Sequence, residues 1–302
     1  MSRKVVMVKP NNFLANPETL KDNAFMNSSV TDTSECSHEF DSYKELLLEL
    51  LLELLLELGI EVLYLENPDS QAPDAVFANN WFISFSPPLV TKKLLVLCPM
   101  KCESRKREKR PEFINKLAEQ HQEVIDLSYF ESQGKALEGT GSLVIDRKRA
   151  KIFMSLSERS SLDVLNQLIT VLNNHSSTSW EAVWFRSYDE TGKSIYHTNV
   201  ILALTSTHAV VNLAAIHHED RQKVLEALSE YQIVEISHES TKKYAGNLEV
   251  LYSPKLESEV IIASSRSKDV GLELPQETFY VDIRTIEEIG GGSTQCMLGK
   301  IY

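Results

Sequence analysis

Cysteine is scarce, basic residues are outnumbered and the longest leucine-rich run is broken by carboxylates, and each shortage excludes something. Only four cysteines occur in 302 residues, Cys36, Cys98, Cys102 and Cys296, too few and too scattered for a disulfide framework. Cys98 and Cys102 form a C-x3-C pair, but no second Cys/His pair with ligand spacing completes a zinc site, so no metal is expected. A net charge of −12 and a pI near 5.2 argue against a nucleic-acid partner. The one basic run, "KCESRKREKR" from Lys101 to Arg110, is interrupted by Glu103 and Glu108 and reads as a solvated helix start or loop. The opening "MSRKVVMVKP" has no apolar core of a signal peptide, from which a reducing cytoplasm is expected. In "KELLLELLLELLLELG", Glu45, Glu49, Glu53 and Glu57 recur every fourth residue, and four carboxylates exclude a membrane span. Such a helix should be clamped on most sides, with Gly59 as its stop.

No Pro-, Ser- or Gly-rich linker divides the chain, and "NNHSSTS" is only a loop, so one domain over 1–302 is expected. Short β-rich runs fill it: "KVVMVKP", "IEVLYLE", "LLVLCPM", "EVIDLS", "SLVIDR", "KIFMSLS", "NVILALTS", "HAVVNLA", "QIVEIS", "LEVLYSP" and "EVIIASS". Helices are expected near 42–58, 105–121, 157–174, 217–230 and 268–274. Strands outnumber helices about two to one, which favours pairs of strands per helix over simple alternation.

Polar residues stand where strands begin. In "ALEGTGSLVIDR", Glu138 precedes glycines that add no bulk around its carboxylate. In "IYHTNVILAL", His197 and Asn199 would share one face of a strand. In "PDAVFANNWF", Asp74 follows a proline, and Asn79 and Asn80 carry amides that need partners among aromatics, on what reads as a continuing strand. In "GGGSTQCML", three glycines before Cys296 free the backbone for a close approach. A thiol, an imidazole, a carboxylate and amides would suit nucleophilic catalysis on an N–H-bearing substrate if they converged.

The order of "PDAVFANN", "EGTG", "YHTN" and "GGGSTQC" resembles the guanidino-group modifying enzymes: arginine deiminases, dimethylarginine dimethylaminohydrolases and amidinotransferases. "KPNNFLANPETLKDNAF", "SYDETGKSIYHTNV" and "GNLEVL" extend it toward the branch with citrulline hydrolases, from about residue 8 to the end. The resemblance implies the pentein α/β-propeller, five ββαβ units around a pseudo-fivefold axis. It also implies Cys296 as nucleophile, His197 as general acid/base, Glu138 as the carboxylate that holds substrate nitrogens, and no cofactor. Where many relatives carry aspartate, this chain has Asn80 and Asn199. An amide donates where a carboxylate cannot, so a neutral ureido group, as in citrulline, is the first substrate expected, hydrolysed to ornithine, carbon dioxide and ammonia. A guanidine hydrolase relying on Asp74 or Asp189, an amidinotransferase and an inactive binding protein are the alternatives. Arg186 is the candidate for the substrate carboxylate. The partner is then a small amino-acid-like molecule, and the sequence is compatible with an oligomer.

Overall fold

The computed structural model describes residues 2–26 and 37–302, so Cys36 lies outside the described residues. Among the described residues, fifteen strands form five sheets of three. They are β1 (Lys4–Pro10), β2 (Glu61–Asn67), β3 (Phe82–Phe85), β4 (Leu94–Leu97), β5 (Glu123–Asp126), β6 (Leu143–Asp146), β7 (Lys151–Leu156) and β8 (Glu181–Arg186). The rest are β9 (Leu202–Leu204), β10 (His208–Val211), β11 (Gln232–Glu235), β12 (Glu249–Ser253), β13 (Ser258–Ser264), β14 (Glu277–Val281) and β15 (Gly299–Ile301).

Every sheet repeats one pattern. A first strand pairs antiparallel with the middle strand, and after a crossover the third strand pairs parallel with it: β3-β4-β5, β6-β7-β8, β9-β10-β11 and β12-β13-β14. The fifth unit joins the two ends of the chain, since β15 pairs antiparallel with β1 and β1 parallel with β2. This is the pentein α/β-propeller expected from the sequence. The first strands approach one another, β15 beside β3 and β6 beside β9, and so surround the axis.

The middle strands are continuous apolar runs because they are covered on both faces. Val5, Leu94, Val96, Ile152, Met154, Val210 and Ile261 are buried. The crossovers are helical: Ser37–Glu57 (α1), Pro111–Ala118, Leu162–Asn174 and His218–Ala227. On α1, Leu47, Leu48, Leu51 and Leu55 are buried, as is Leu58 just after it, each contributing about 1.5–3 kcal/mol. The clamp expected around this helix is one-sided, because Leu46, Leu50 and Leu56 are exposed between the glutamates.

Other expectations shift as well. The helix near 105–121 splits into a turn, Glu103–Lys106, and the helix Pro111–Ala118, since a proline starts a helix more readily than it continues one. The segment near 268–274 is only a 3-10 turn, Ser265–Val270, ending at Gly271. The strands β8, β14 and β15 were not expected: β8 and β14 are half-exposed outer strands, and β15 has three residues.

Candidate functional site

The residues that read as strand starts lie in tight helical turns immediately before the first strand of each unit. Ala78–Asn80 precedes β3, Gly139–Ser142 precedes β6, Thr198–Val200 precedes β9, and Thr294–Met297 precedes β15. The fifth turn, Tyr244–Asn247, precedes β12. Asn79, Asn80, His197 and Asn199 are therefore not on strands, as the alternation suggested. Tight turns aim their side chains at the axis, and the turns contact one another there.

The cleft on this face has Asp74, Asn80, Arg105, Arg159, His197 and Cys296 among its walls. His197 Nε2 lies 2.9 Å from Glu138 Oε2, which assigns the Nε2 proton to that bond and leaves Nδ1 as the unprotonated nitrogen. Gly141 makes room for this ring, since a Cβ there would stand 2.7 Å from His197 Nδ1. The Cys296 Sγ receives Asn199 Nδ2 at 3.6 Å and Asn247 Nδ2 at 3.5 Å. Asn247 also accepts from the Gln295 backbone N–H at 3.2 Å, tying the two turns together. Gly291 lets the chain reach Cys296 with φ of +67°, where a side chain would be strained and would collide with Asn23.

Glu138 is 0 % exposed, and burial alone would raise its pKa. Arg159 at 3.4 Å, then His197 and Arg105 at 3.5 Å, instead hold it well below the usual carboxylate range. His197 moves down to about 4, because burial of the cation outweighs support from Glu138, so the ring is a neutral base at pH 7. Burial likewise raises the Cys296 thiol, although hydrogen bonds from the Ser293 backbone and the two asparagines pull the other way. Thiol and neutral imidazole, both lining one cleft, can pass a proton and so generate a nucleophile and an acid.

Asp74 is buried with Oδ1 unpartnered, while Oδ2 accepts from Asn16 at 2.8 Å. Burial raises its pKa although Arg105 opposes it. Each cleft arginine is anchored from behind. Arg105 makes a bidentate bond to Glu108 (2.8 and 3.1 Å), and Arg159 bonds Asp22 through Nε at 2.9 Å and through Nη2. The basic run is thus not merely solvated: Arg105 and Glu108 are 2 % and 1 % exposed.

Cys296, His197, Asn80 and Asp74 line the cleft, with Glu138 bonded to His197 and Asn199 to Cys296. The cleft does not include Arg186, which is half-exposed and bonded to Asp220 at 2.7 Å and Glu219 at 2.8 Å. Asp189 also lies outside, capping an exposed turn through Thr191 and Lys193. Sequence reasoning missed Arg105, Arg159, Asp22 and Asn247. For Asn247, the signal was its place before a first strand, in "GNLEVL", like the other four turns.

No curated protein matches the chain. Among solved structures, unliganded AgrE is 17% identical with a TM-score of 0.72, covering 98% of this chain and 39% of its own. The N-terminal domain of ArgZ bound to substrate, "an arginine dihydrolase from the Ornithine-Ammonia Cycle in Cyanobacteria", is 18% identical with a TM-score of 0.73, covering 99% of this chain and 98% of its own. A dimethylarginine dimethylaminohydrolase adduct is 15% identical with a TM-score of 0.66, covering 99% of this chain and 100% of its own. These identities establish a shared fold, and the chain spans about 40% of the length of whole AgrE and ArgZ. The family described as "N,N dimethylarginine dimethylhydrolase, eukaryotic" matches residues 9–302, and the chain belongs to this family.

Proposed function

We propose that the chain hydrolyses the terminal C–N bond of a ureido amino acid, citrulline first, with Cys296 as nucleophile, His197 as acid/base and Glu138 as its orienting carboxylate. The observation that carries this is the charge balance around the reacting end. Glu138 is already shared by Arg105, Arg159 and His197, so little of its charge remains for a guanidinium. The side chains that hydrogen-bond the thiol are amides, Asn199 and Asn247, which donate. Charge-assisted bonds contribute about 1.5–3 kcal/mol each, and a guanidinium would find few of them. A ureido oxygen takes the amide donors instead, and a donor aimed at a developing oxyanion is worth about 2.7–4 kcal/mol.

The rest of the cleft accommodates the amino-acid part. Arg105 and Arg159, each steadied by a carboxylate behind it, replace Arg186 as the candidates for the substrate carboxylate. The free Oδ1 of Asp74 accepts a substrate N–H. No helix among the described residues is long and apolar enough to cross a membrane.

In this reaction the Cys296 thiol gives its proton to His197 and Sγ bonds to the ureido carbon. The terminal nitrogen takes the proton and leaves as ammonia, and the amino acid stays attached as a thiocarbamate. Water adds with His197 as base, the C–S bond breaks, the thiol regains its proton, and the carbamate loses carbon dioxide to give ornithine.

A second reading, hydrolysis of arginine or a methylated arginine, is favoured by that same free Asp74 oxygen, which would neutralise a guanidinium if ionised. Release of ammonia or dimethylamine from citrulline, arginine and dimethylarginine decides between them. A higher kcat/KM for citrulline, with ornithine formed, supports the ureido reading; preference for either guanidine overturns it.

A further inference from the structure

The chain leading to Cys296 is gripped by a buried carboxylate that the reaction does not use. Glu287, in the helix Arg284–Gly290, is 0 % exposed and does not line the substrate cleft. Its Oε1 accepts the Ser293 hydroxyl at 2.6 Å, and Arg266 Nη1 stands 3.9 Å from its Oε2. Its backbone carbonyl accepts the Gly291 N–H at 2.8 Å and the Tyr244 hydroxyl at 3.2 Å. One residue therefore holds the chain on both sides of Gly292.

Ser293 is where this grip reaches the nucleophile. It stands directly before the tight turn Thr294–Met297, and its carbonyl accepts the N–H of Cys296 at 2.9 Å and of Met297 at 3.3 Å. A serine at that position ordinarily turns its hydroxyl back to accept an N–H two or three residues on. Here it caps nothing, because it donates to Glu287 instead. The Gln295 N–H that such a cap would take is bonded to Asn247 Oδ1 at 3.2 Å, and the amide of Asn247 donates to the sulfur at 3.5 Å.

We propose that Glu287 is a positioning residue for the nucleophile: by occupying the Ser293 hydroxyl it leaves the Gln295 N–H to Asn247, and so keeps the Asn247 amide on Cys296 Sγ. The inference rests on the reading of Cys296 as nucleophile given above. A Ser293 hydroxyl without its acceptor turns to the Gln295 N–H, displaces Asn247 Oδ1 and draws the amide off the sulfur. His197, Arg105, Tyr196 and Tyr244 also act on the thiol, and Arg266, Asp282 and Tyr244 on Glu287. If Glu287 acted on the sulfur only as a negative charge, its removal would favour the thiolate, which is the opposite sign.

The test follows alkylation of Cys296 by iodoacetamide against pH, located on the Cys296 peptide by mass, and it needs no substrate. Glu287→Leu removes the acceptor while filling most of its space. Its alkylation midpoint should rise by about one pH unit, the loss of one hydrogen bond to a charged group. Its kcat should fall about tenfold with KM little changed. Glu287→Gln keeps an accepting oxygen and should stay near the wild-type midpoint. The double variant Glu287→Leu/Ser293→Ala has no hydroxyl left to compete, so its midpoint should return to the wild-type value. A midpoint unchanged or lowered in folded Glu287→Leu, or a double variant no closer to wild type than Glu287→Leu, overturns the proposal. Should Glu287→Leu not fold, Ser293→Ala alone decides: a wild-type midpoint supports the proposal, and a rise like that expected of Glu287→Leu overturns it. Failure of the functional reading is visible separately, as a wild-type enzyme that releases no amine from citrulline, arginine or dimethylarginine.

Discussion

Two carboxylates, Glu138 and Glu249, are both 0 % exposed, yet their surroundings give them opposite chemistry. Glu138, at the substrate end, faces Arg105, Arg159 and His197 and also accepts the Lys101 backbone N–H at 3.1 Å. Its charge is held in place, well below the usual carboxylate range. Glu249, at the start of β12, has Lys300 at 3.1 Å as its cation, and burial pushes it up to about 7. Equal burial therefore does not set the charge; the number of cations facing the carboxylate does. The substrate end keeps a fixed anion that steadies an imidazole, whereas Glu249 hovers near neutrality.

The sharpest way to break the contrast is to remove what the fixed anion serves. Cys296→Ala should abolish amine release, to less than about one part in 10⁴ of wild-type kcat, while the thermal transition stays within a few degrees. Retained turnover would dismiss the proposed nucleophile. Next comes the anion itself. Glu138→Gln removes the partner of His197 and leaves Arg105 and Arg159 facing a neutral amide, and kcat should fall by about 10²–10⁴. In wild type, His197 titrates near 4, so kcat/KM should lose its neutral base only as pH falls through about 4. Glu138 supports the imidazole proton, so any residual activity of Glu138→Gln should have its acid limb moved to still lower pH.

A smaller change sharpens the comparison by adding a carboxylate where the chain has an amide. Asn80→Asp places an anion 3.3 Å from Arg105 Nη1, inside the cleft. One further charge-assisted bond corresponds to about 1.5–3 kcal/mol, so the ratio of kcat/KM for arginine over citrulline should rise about 10- to 100-fold. An unchanged ratio would mean that Asn80 does not set the charge preference of the cleft.

How much of this was legible follows from where each signal lies. The middle strands announce themselves because burial on both faces demands runs such as "LLVL" and "EVIIAS". Outer strands such as β8, with exposed Trp184 beside buried Phe185, lack that continuity. Cys296, His197 and Glu138 stand among glycines and amides that local reasoning could single out. Arg105 could not be singled out, because in "KCESRKREKR" nothing separates an arginine that turns inward from neighbours that stay in water. What turns it inward is Glu108 one helical turn later, together with Asp74 and Glu138 from other units, a pairing that exists only once the turns meet. Arg159 likewise depends on Asp22, 137 residues away in sequence. Arg186 misled for the opposite reason: it is near the motif in sequence, yet its side chain belongs to Asp220 and Glu219.

The smallest expected effect tests the other member of the pair. Glu249 has a folded pKa of about 7 against a reference value of 4.5, so the folded protein binds this proton more tightly than the unfolded chain. Its contribution to stability is fully present below about pH 4.5 and is lost as pH rises through about 7, to a total of about 3 kcal/mol at most. Glutamine keeps the shape and cannot titrate, so Glu249→Gln removes this pH dependence. The difference in Tm, variant minus wild type, should therefore rise by a few degrees between pH 5 and pH 8. Because Glu249 touches neither the thiol nor His197, kcat should stay within about twofold of wild type. A Tm difference that does not change with pH would mean that Lys300 holds Glu249 ionised throughout, and the two buried carboxylates would then behave alike.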